Sequence, residues 1–325
     1  MKLSRRAVVG LAGGAAALAT ASSTARAQAY PTRSVRLVVG VAAGGAVDIL
    51  ARLIGQQLSE RLGQSFVIEN RPGAGTNIGT EFVVRAPADG YTLLLVAAPN
   101  AINATLYDKL SFNFIRDIAP VASISRLPLV MLVNPSLPAK TVPELIAYLK
   151  ANPGKVSMAS GGNGTTPHVA GELFKIMAGI NMVHVPYRGV GPAIADLLAG
   201  QVQVLFAGTL ESLEHITAGK LRPLAVTGAM RSAALMDVPT MGEYLPGYEA
   251  SSFFGVGAPK NTPPEIVVKL NKEINVAIAD PKIKAQLADV GSTVIPGSPA
   301  EFGQLIAEET EKWAKVIRTA NIKVE

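Results

Sequence analysis

The chain has 325 residues and no cysteine, with 49% apolar and only 17% charged residues. This composition excludes a disordered polyelectrolyte, a disulfide scaffold, thiolate metal centres, a cysteine nucleophile and a lipid-modified cysteine anchor. The formal charge of +6 sits mostly at the amino end: taking Lys2, Arg5, Arg6 and Arg26 from the 30 bases leaves 26 against 24 acids, or +2, too near neutrality to point to nucleic acid.

Residues 1–27 have the pattern of an export signal. A basic start precedes an uncharged run from Ala7 to Ala21, then Ser22-Ser23-Thr24 and the small-residue site Ala25-Arg26-Ala27, so cleavage is expected before Gln28. The run is short and rich in Ala and Gly, unlike the ~20 strongly apolar residues of a spanning helix. Ser4-Arg5-Arg6 resembles a twin-arginine signal, but Val8, Val9 and Gly10 depart from its usual continuation and leave the route open. The mature protein is expected to be periplasmic and not itself embedded in a membrane.

After the leader, short apolar runs alternate with helical patterns, and the length suggests two domains. Strands are predicted at 35–41, 66–69, 92–97, 130–133, 156–159, 182–185, 202–206, 224–227 and 253–256. A helix should begin near Ala46, where Leu50, Leu53, Ile54, Leu58 and Leu62 follow a 3.6-residue period and Gly63 is placed to end it. Further helices are predicted at 143–151, 167–178, 192–199, 211–218, 263–279, 281–289 and 299–319. The alternation implies an α/β protein with parallel sheets.

Three helix starts set a hydroxyl three residues before Glu, with Pro in the first turn: Thr141 with Glu144, Thr262 with Glu265, and Ser298 with Glu301. Such caps should satisfy the free amides from within. Two other starts differ. Ser160–His168 runs from a strand through glycines into a helix at Pro167, with no acid before Glu172, and Tyr187–Pro192 does the same while carrying Arg188. Free amides and the positive end of the helix dipole make such a start an anion site. The alternative is that Thr165 or Thr166 caps its own helix and the glycines only serve the turn.

Reactive constellations are scarce. His168, His184 and His215 match no metal spacing, and there is no nucleophile elbow, phosphate loop or HExxH. Gly73–Gly79 is one residue too long for a dinucleotide fingerprint and reads as a loop. Glu308, Glu309 and Glu311 are read with Lys312 and Lys315 as a solvated face, and Trp313 as a packing residue. Asp48 and His168 are assigned loop-orienting roles, with direct ligand contact the other possibility for each. No cofactor, metal or catalytic residue is expected.

The residues then carry a resemblance. The matching stretches are Gly44–Arg52 (GGAVDILAR), Glu69–Gly75 (ENRPGAG), Asp89–Thr92 (DGYT), Ser160–His168 (SGGNGTTPH) and Val185–Gly189 (VPYRG). Gly200–Val202, Ala218–Arg222 and Val238–Thr240 continue the series in register. The sequence resembles the Bug family of periplasmic solute-binding proteins, extracytoplasmic receptors of tripartite tricarboxylate transporters. The resemblance implies a two-domain, type II Venus-flytrap fold with crossings near Ser125–Leu129 and Gly247–Ser252. Domain one would then be 28–126 with 250–325, and domain two 127–249. It also implies a small organic carboxylate held in the cleft by backbone amides and hydroxyls.

Carried onto this chain, the first wall would be Ala43, Gly44, Gly45, Gly75, Thr76, Asn77, Ala97 and Ala98. The second would be Ser160, Gly161, Gly164, Thr165, Thr166, Tyr187, Arg188 and Gly189. Tyr187 would supply a hydroxyl or an apolar wall. Val39-Gly40-Val41 lacks the Pro-Phe common in the family, and Gln203 and Ala207 stand where Asp is frequent. With Ala207 at the ligand, a plain or aromatic carboxylate is favoured over an amino acid. The implied partners are subunits of a cytoplasmic-membrane transporter or a sensor kinase, with the receptor acting as a monomer; a secreted enzyme on the same frame would need a reactive residue that is not evident.

Overall fold

A computed structural model describes residues 30–324, so the expected export signal and the cleavage expected before Gln28 lie outside the described residues. The chain divides between Thr32 and Arg33, and all the elements belong to the second unit. In chain order they are β1 Val35–Val39, α1 Ala46–Leu62, β2 Phe66–Asn70, α2 Asn77–Val84, β3 Thr92–Ala97, α3 Ala98–Leu106 and α4 Phe114–Asp117. Next come β4 Ile118–Val133, α5 Val142–Ala151, β5 Ser157–Ser160, α6 Thr166–Ala178, β6 Val183–Pro186, α7 Val190–Leu198, β7 Val204–Gly208, α8 Thr209–Thr217 and β8 Arg222–Val226. The chain closes with β9 Ser251–Pro259, α9 Pro264–Ala279, α10 Pro281–Asp289, β10 Thr293–Val294 and α11 Pro299–Thr319.

The strands follow the order β2-β1-β3-β9-β4-β7-β5-β6, with β8 and β10 also paired to β4. Two parallel groups, β1 to β3 and β5 to β7, flank a centre in which β9 and β4 run antiparallel to their neighbours. The parallel sheets expected from the alternation are present as these two groups, and β4 and β9 make the whole a mixed sheet. The crossover helices account for the parallel groups, while β4 and β9 connect them.

β4 is the longest departure from the sequence pattern. Only 130–133 looked like strand, yet the element has 16 residues. Pro120 and Pro128 lack an amide donor, and the β4–β9 register shifts between Pro120 and Ala122 and again between Ser123 and Ser125. Residues 118–128 pair with β9, whereas 129–133 pair with β7 and β8. Thr227 stitches the change of partner: its hydroxyl accepts the Leu129 amide at 2.7 Å and donates to the Ala250 carbonyl at 2.8 Å.

The main apolar cluster includes Phe174, Phe206, Phe253, Phe302 and Trp313, all fully or almost fully buried. Trp313 is thus the packing residue its periodicity indicated. A second cluster, under β7 and β8, holds Val130, Leu205, Ala207 and Val226. Of the three predicted hydroxyl caps, Thr141 and Ser298 accept the amides of Glu144 and Glu301. Thr262 does not: its hydroxyl donates to the Pro259 carbonyl at 2.7 Å, and α9 begins beyond it at Pro264.

Candidate functional site

The loop between β1 and α1 is held by Asp48. This buried carboxylate accepts the Gly44 amide at 2.9 Å, both arms of Arg52, and Nδ2 of Asn70 at 2.9 Å. The same Asn70 amide donates to the Val41 carbonyl at 3.0 Å, so both ends of the loop are tied to one group. The Arg52 hydrogen bonds outweigh the opposing effect of burial and bring the Asp48 pKa down to about 2, with Gly44 and Asn70 adding to the shift. Asp48 spends its carboxylate on the loop and on Arg52; Ala43, Gly44 and Gly45 are exposed.

The second loop carries Gly75, Thr76 and Asn77. Gly75 and Thr76 both lie at positive φ, 62° and 87°. That backbone is braced by two asparagines of α3 that the sequence reading did not single out. Asn100 accepts the Ala97 amide at 2.8 Å and donates to the hydroxyls of Thr80 and Thr76, while Asn103 donates to the Gly75 carbonyl and to Oδ1 of Asn77. Nδ2 of the buried Asn77 has no partner among the described residues. Ala97 and Ala98 are buried, so their contribution is the helix start they form and not their methyl groups.

On the β5 side, Ser160 ends its strand fully buried. Its Oγ exchanges hydrogen bonds with Gly162 at 3.1 Å each way and lies 2.7 Å from Nε2 of His184. The Gly164 amide donates to Nδ1 of His168 at 3.1 Å, and the Thr165 hydroxyl donates to the Gly162 carbonyl at 2.8 Å. The hydroxyls of Thr166 and Ser252 lie 3.1 Å apart. Gly164 must be glycine twice over: its φ is +72°, and an added Cβ would fall 2.1 Å from Cδ2 of Leu106 on α3. Among the described residues, the amides of Gly161, Asn163 and Thr166 form no hydrogen bond. The alternative in which Thr165 caps its own helix is not what occurs, since no side-chain cap forms there.

Tyr187 and Gly189 close this wall. The Gly189 amide donates to the Gly161 carbonyl at 3.2 Å. Of the two roles open to Tyr187, its hydroxyl proton goes to Asp196 at 2.6 Å, and its ring packs on the second apolar cluster. Asp196, with some help from burial, pushes the phenol up to about 12. Arg188 is exposed. Ala207, expected at the ligand, is fully buried inside that apolar cluster.

The helix starts divide in two. Side chains of Asn113, Thr141, Asp280 and Ser298 cap α4, α5, α10 and α11, while α8 and α9 lack a side-chain cap but hold Glu211 and Glu265 in their first turns. The starts at Gly45, Thr76, Ala97, Thr165 and Gly189 make no side-chain cap bond, and only the first has an acid, the already engaged Asp48. Every residue expected at the ligand, Ala207 apart, belongs to one of these five open starts or the loop leading into it. At the last four the positive end has no acid beside it, which suits an anion, whereas at the Gly45 start Asp48 already takes the Gly44 amide. Among the described residues no group of acids and histidines is arranged to hold a metal, and no helix is long and apolar enough to cross a membrane. A cavity of ≈ 420 Å³ lies elsewhere, beside Arg126, Met230, Arg231 and Glu249 where the strands cross over.

The fold is that of the periplasmic binding proteins: BugD, described as one, superposes with a TM-score of 0.77 at 33% identity, over 91% of this chain and all of its own. The chain belongs to the tripartite tricarboxylate transporter receptor family, whose model matches residues 50–322. Protein BugT of Bordetella pertussis is 38% identical over 301 residues, 92% of each chain. The R. palustris protein Rpa4515, solved with adipate, gives a TM-score of 0.80 at 39% identity, over 90% of this chain and 99% of its own.

Proposed function

We propose that this protein is a periplasmic receptor that captures a small organic carboxylate between two lobes and presents it to a membrane transporter. The lobes are 28–126 with 250–325 and 127–249, hinged where β4 changes partner and where the chain returns into β9. The observation that carries this reading is the set of five open helix starts, with the unbonded amides of Gly161, Asn163 and Thr166 at one of them. A carboxylate accepting two or three such amides exchanges water for fixed donors at little reorganisation cost. Contacts from both lobes favour the closed form by the ligand's differential affinity. The structure of a 39% identical relative with adipate supports the chemical class. The chain acts as a receptor and not an enzyme, is freed of residues 1–27 by cleavage before Gln28, and works as a monomer.

Calorimetric titration of the mature chain with mono- and dicarboxylates tests this, with amino acids and amines as comparison. Carboxylates should bind, raise the melting temperature with concentration, add about 2.7 kcal/mol of stability at a hundredfold excess over Kd, and be recovered unchanged. Binding confined to amines, or turnover of the carboxylate, would replace the reading.

A further inference from the structure

Two histidines that the sequence left unconnected form one unit beneath the glycine loop. The imidazoles of His168 on α6 and His184 on β6 stack with centroids 3.7 Å apart and planes 6° from parallel. His168 is buried and His184 partly so. Each touches the loop: Nδ1 of His168 accepts the Gly164 amide, and Nε2 of His184 lies 2.7 Å from Ser160 Oγ. The acid and base facing the pair are Glu172, whose Oε1 is 3.8 Å from Nε2 of His168, and Lys175, which Glu172 holds at 2.8 Å.

The bonds assign the protons. A Gly164 N–H can donate only to an unprotonated Nδ1, so the proton of neutral His168 is on Nε2, toward Glu172. Ser160 Oγ has one proton and two lone pairs. It receives the Gly162 amide and donates to the Gly162 carbonyl, and the remaining lone pair is filled when His184 carries its proton on Nε2 and donates it. The Ser160 hydroxyl is then satisfied inside the protein.

We propose that His184 is a positioning residue for anion capture: its Nε2–H fixes Ser160 and so holds the loop in the shape that leaves the Gly161, Asn163 and Thr166 amides for a carboxylate. This rests on the reading of the loop as the anion site. Ser160 is accordingly a strut and offers no hydroxyl proton to the ligand, which places discrimination on the backbone donors.

The test pairs nitrogen-15 NMR of the histidine rings in the wild-type protein with adipate titrations of His184→Phe and His184→Gln. Both rings should be Nε2–H tautomers at pH 7. His184→Phe keeps a ring to stack but no donor, and should bind adipate at least tenfold more weakly with faster exchange of the Gly162 and Gly164 amides. His184→Gln, which restores an N–H near the same point, should return affinity to within about threefold of wild type. An Nδ1–H tautomer at His184, or equal affinity in wild type and His184→Phe, overturns the proposal. Failure of the wild-type protein to bind adipate or any carboxylate of the panel overturns the anion site itself, and the positioning role with it.

Discussion

The Gly164 amide donates to Nδ1 of His168 four residues on, across the first turn of the helix that the glycine loop enters. The other group of parallel strands repeats the device: the Gly44 amide donates to Asp48, also four residues on. In both places a buried side chain takes the amide that the loop can spare and leaves the outer ones. The two differ in chemistry, one neutral and one anionic, and so respond to acidification in different pH windows.

Burial above all, with the neighbouring Lys175, drives the pKa of both histidines down, His168 to about 3 and His184 to about 4. As pH falls through the ordinary value near 6.5, the unfolded chain takes up protons that the folded chain refuses. Stability is therefore complete above pH 6.5 and falls below it, by up to about 1.4 kcal/mol per pH unit for each histidine, levelling off near pH 4 and then 3. Urea denaturation should show a loss of about 2–3 kcal/mol between pH 6.5 and 5 that the His168→Asn, His184→Gln double variant largely lacks. Equal pH slopes would mean that the pair is protonated in the folded protein.

Asp48 acts in the same sense but in a more acidic window. Its folded pKa of about 2 lies below its ordinary value of 3.8, so its contribution is present above about pH 4 and lost as pH falls toward 2. The Arg52 side chain is 54% exposed, and solvent screening trims the contribution to about 1–2 kcal/mol. Asp48→Asn should lose that amount at pH 7 and converge with wild type near pH 2, as read by chemical denaturation. A neutral effect at pH 7 would show that the loop does not depend on the charge.

Gly164→Ala introduces both a left-handed alanine, costing about 1–2 kcal/mol, and a contact with Leu106 that the side chain must yield to. A loss of about 2–3 kcal/mol is expected. Adding Leu106→Ala should recover the steric part but not the backbone part, so a double-mutant cycle will show coupling. Strict additivity would place Leu106 away from Gly164 in solution.

The hydroxyl contacts of Thr165 and Thr166 predict distinct behaviour. Thr165 spends its proton on the Gly162 carbonyl, so Thr165→Ala should weaken carboxylate binding indirectly, by about 0.5–1.5 kcal/mol through a looser loop. Thr166 meets Ser252 of β9, and Thr166→Ala should couple to Ser252→Ala but not to Thr165→Ala. Titration calorimetry on the single and double variants reads this out; coupling of both pairs alike would contradict it.

The open helix starts at Thr165 and Gly189 were legible in the sequence, because a missing acid and a glycine run are local signals. So were the hydroxyl cap at Thr141 and the capping box at Ser298. Thr262 misled because a nearer carbonyl, Pro259, competed for its hydroxyl. The long β4 was illegible because Pro120, Ser123, Ser125 and Pro128 break the apolar run, while its partners β7, β8 and β9 are far along the chain. The helices α2 and α3 are short, α2 following a glycine-rich loop and α3 running through an Ala- and Asn-rich stretch whose asparagines brace that loop. The stack of His168 on His184 joins residues brought together only by the pairing of β5 with β6.

A crystal structure of the mature protein with the tightest-binding carboxylate of the panel tests the central claim most directly. The account predicts carboxylate oxygens at about 3 Å from at least two of the amides of Gly161, Asn163 and Thr166, with Ser160 still bonded to His184. A carboxylate seated instead on arginine side chains in the cavity beside Arg126 and Arg231, with those amides facing water, would contradict it.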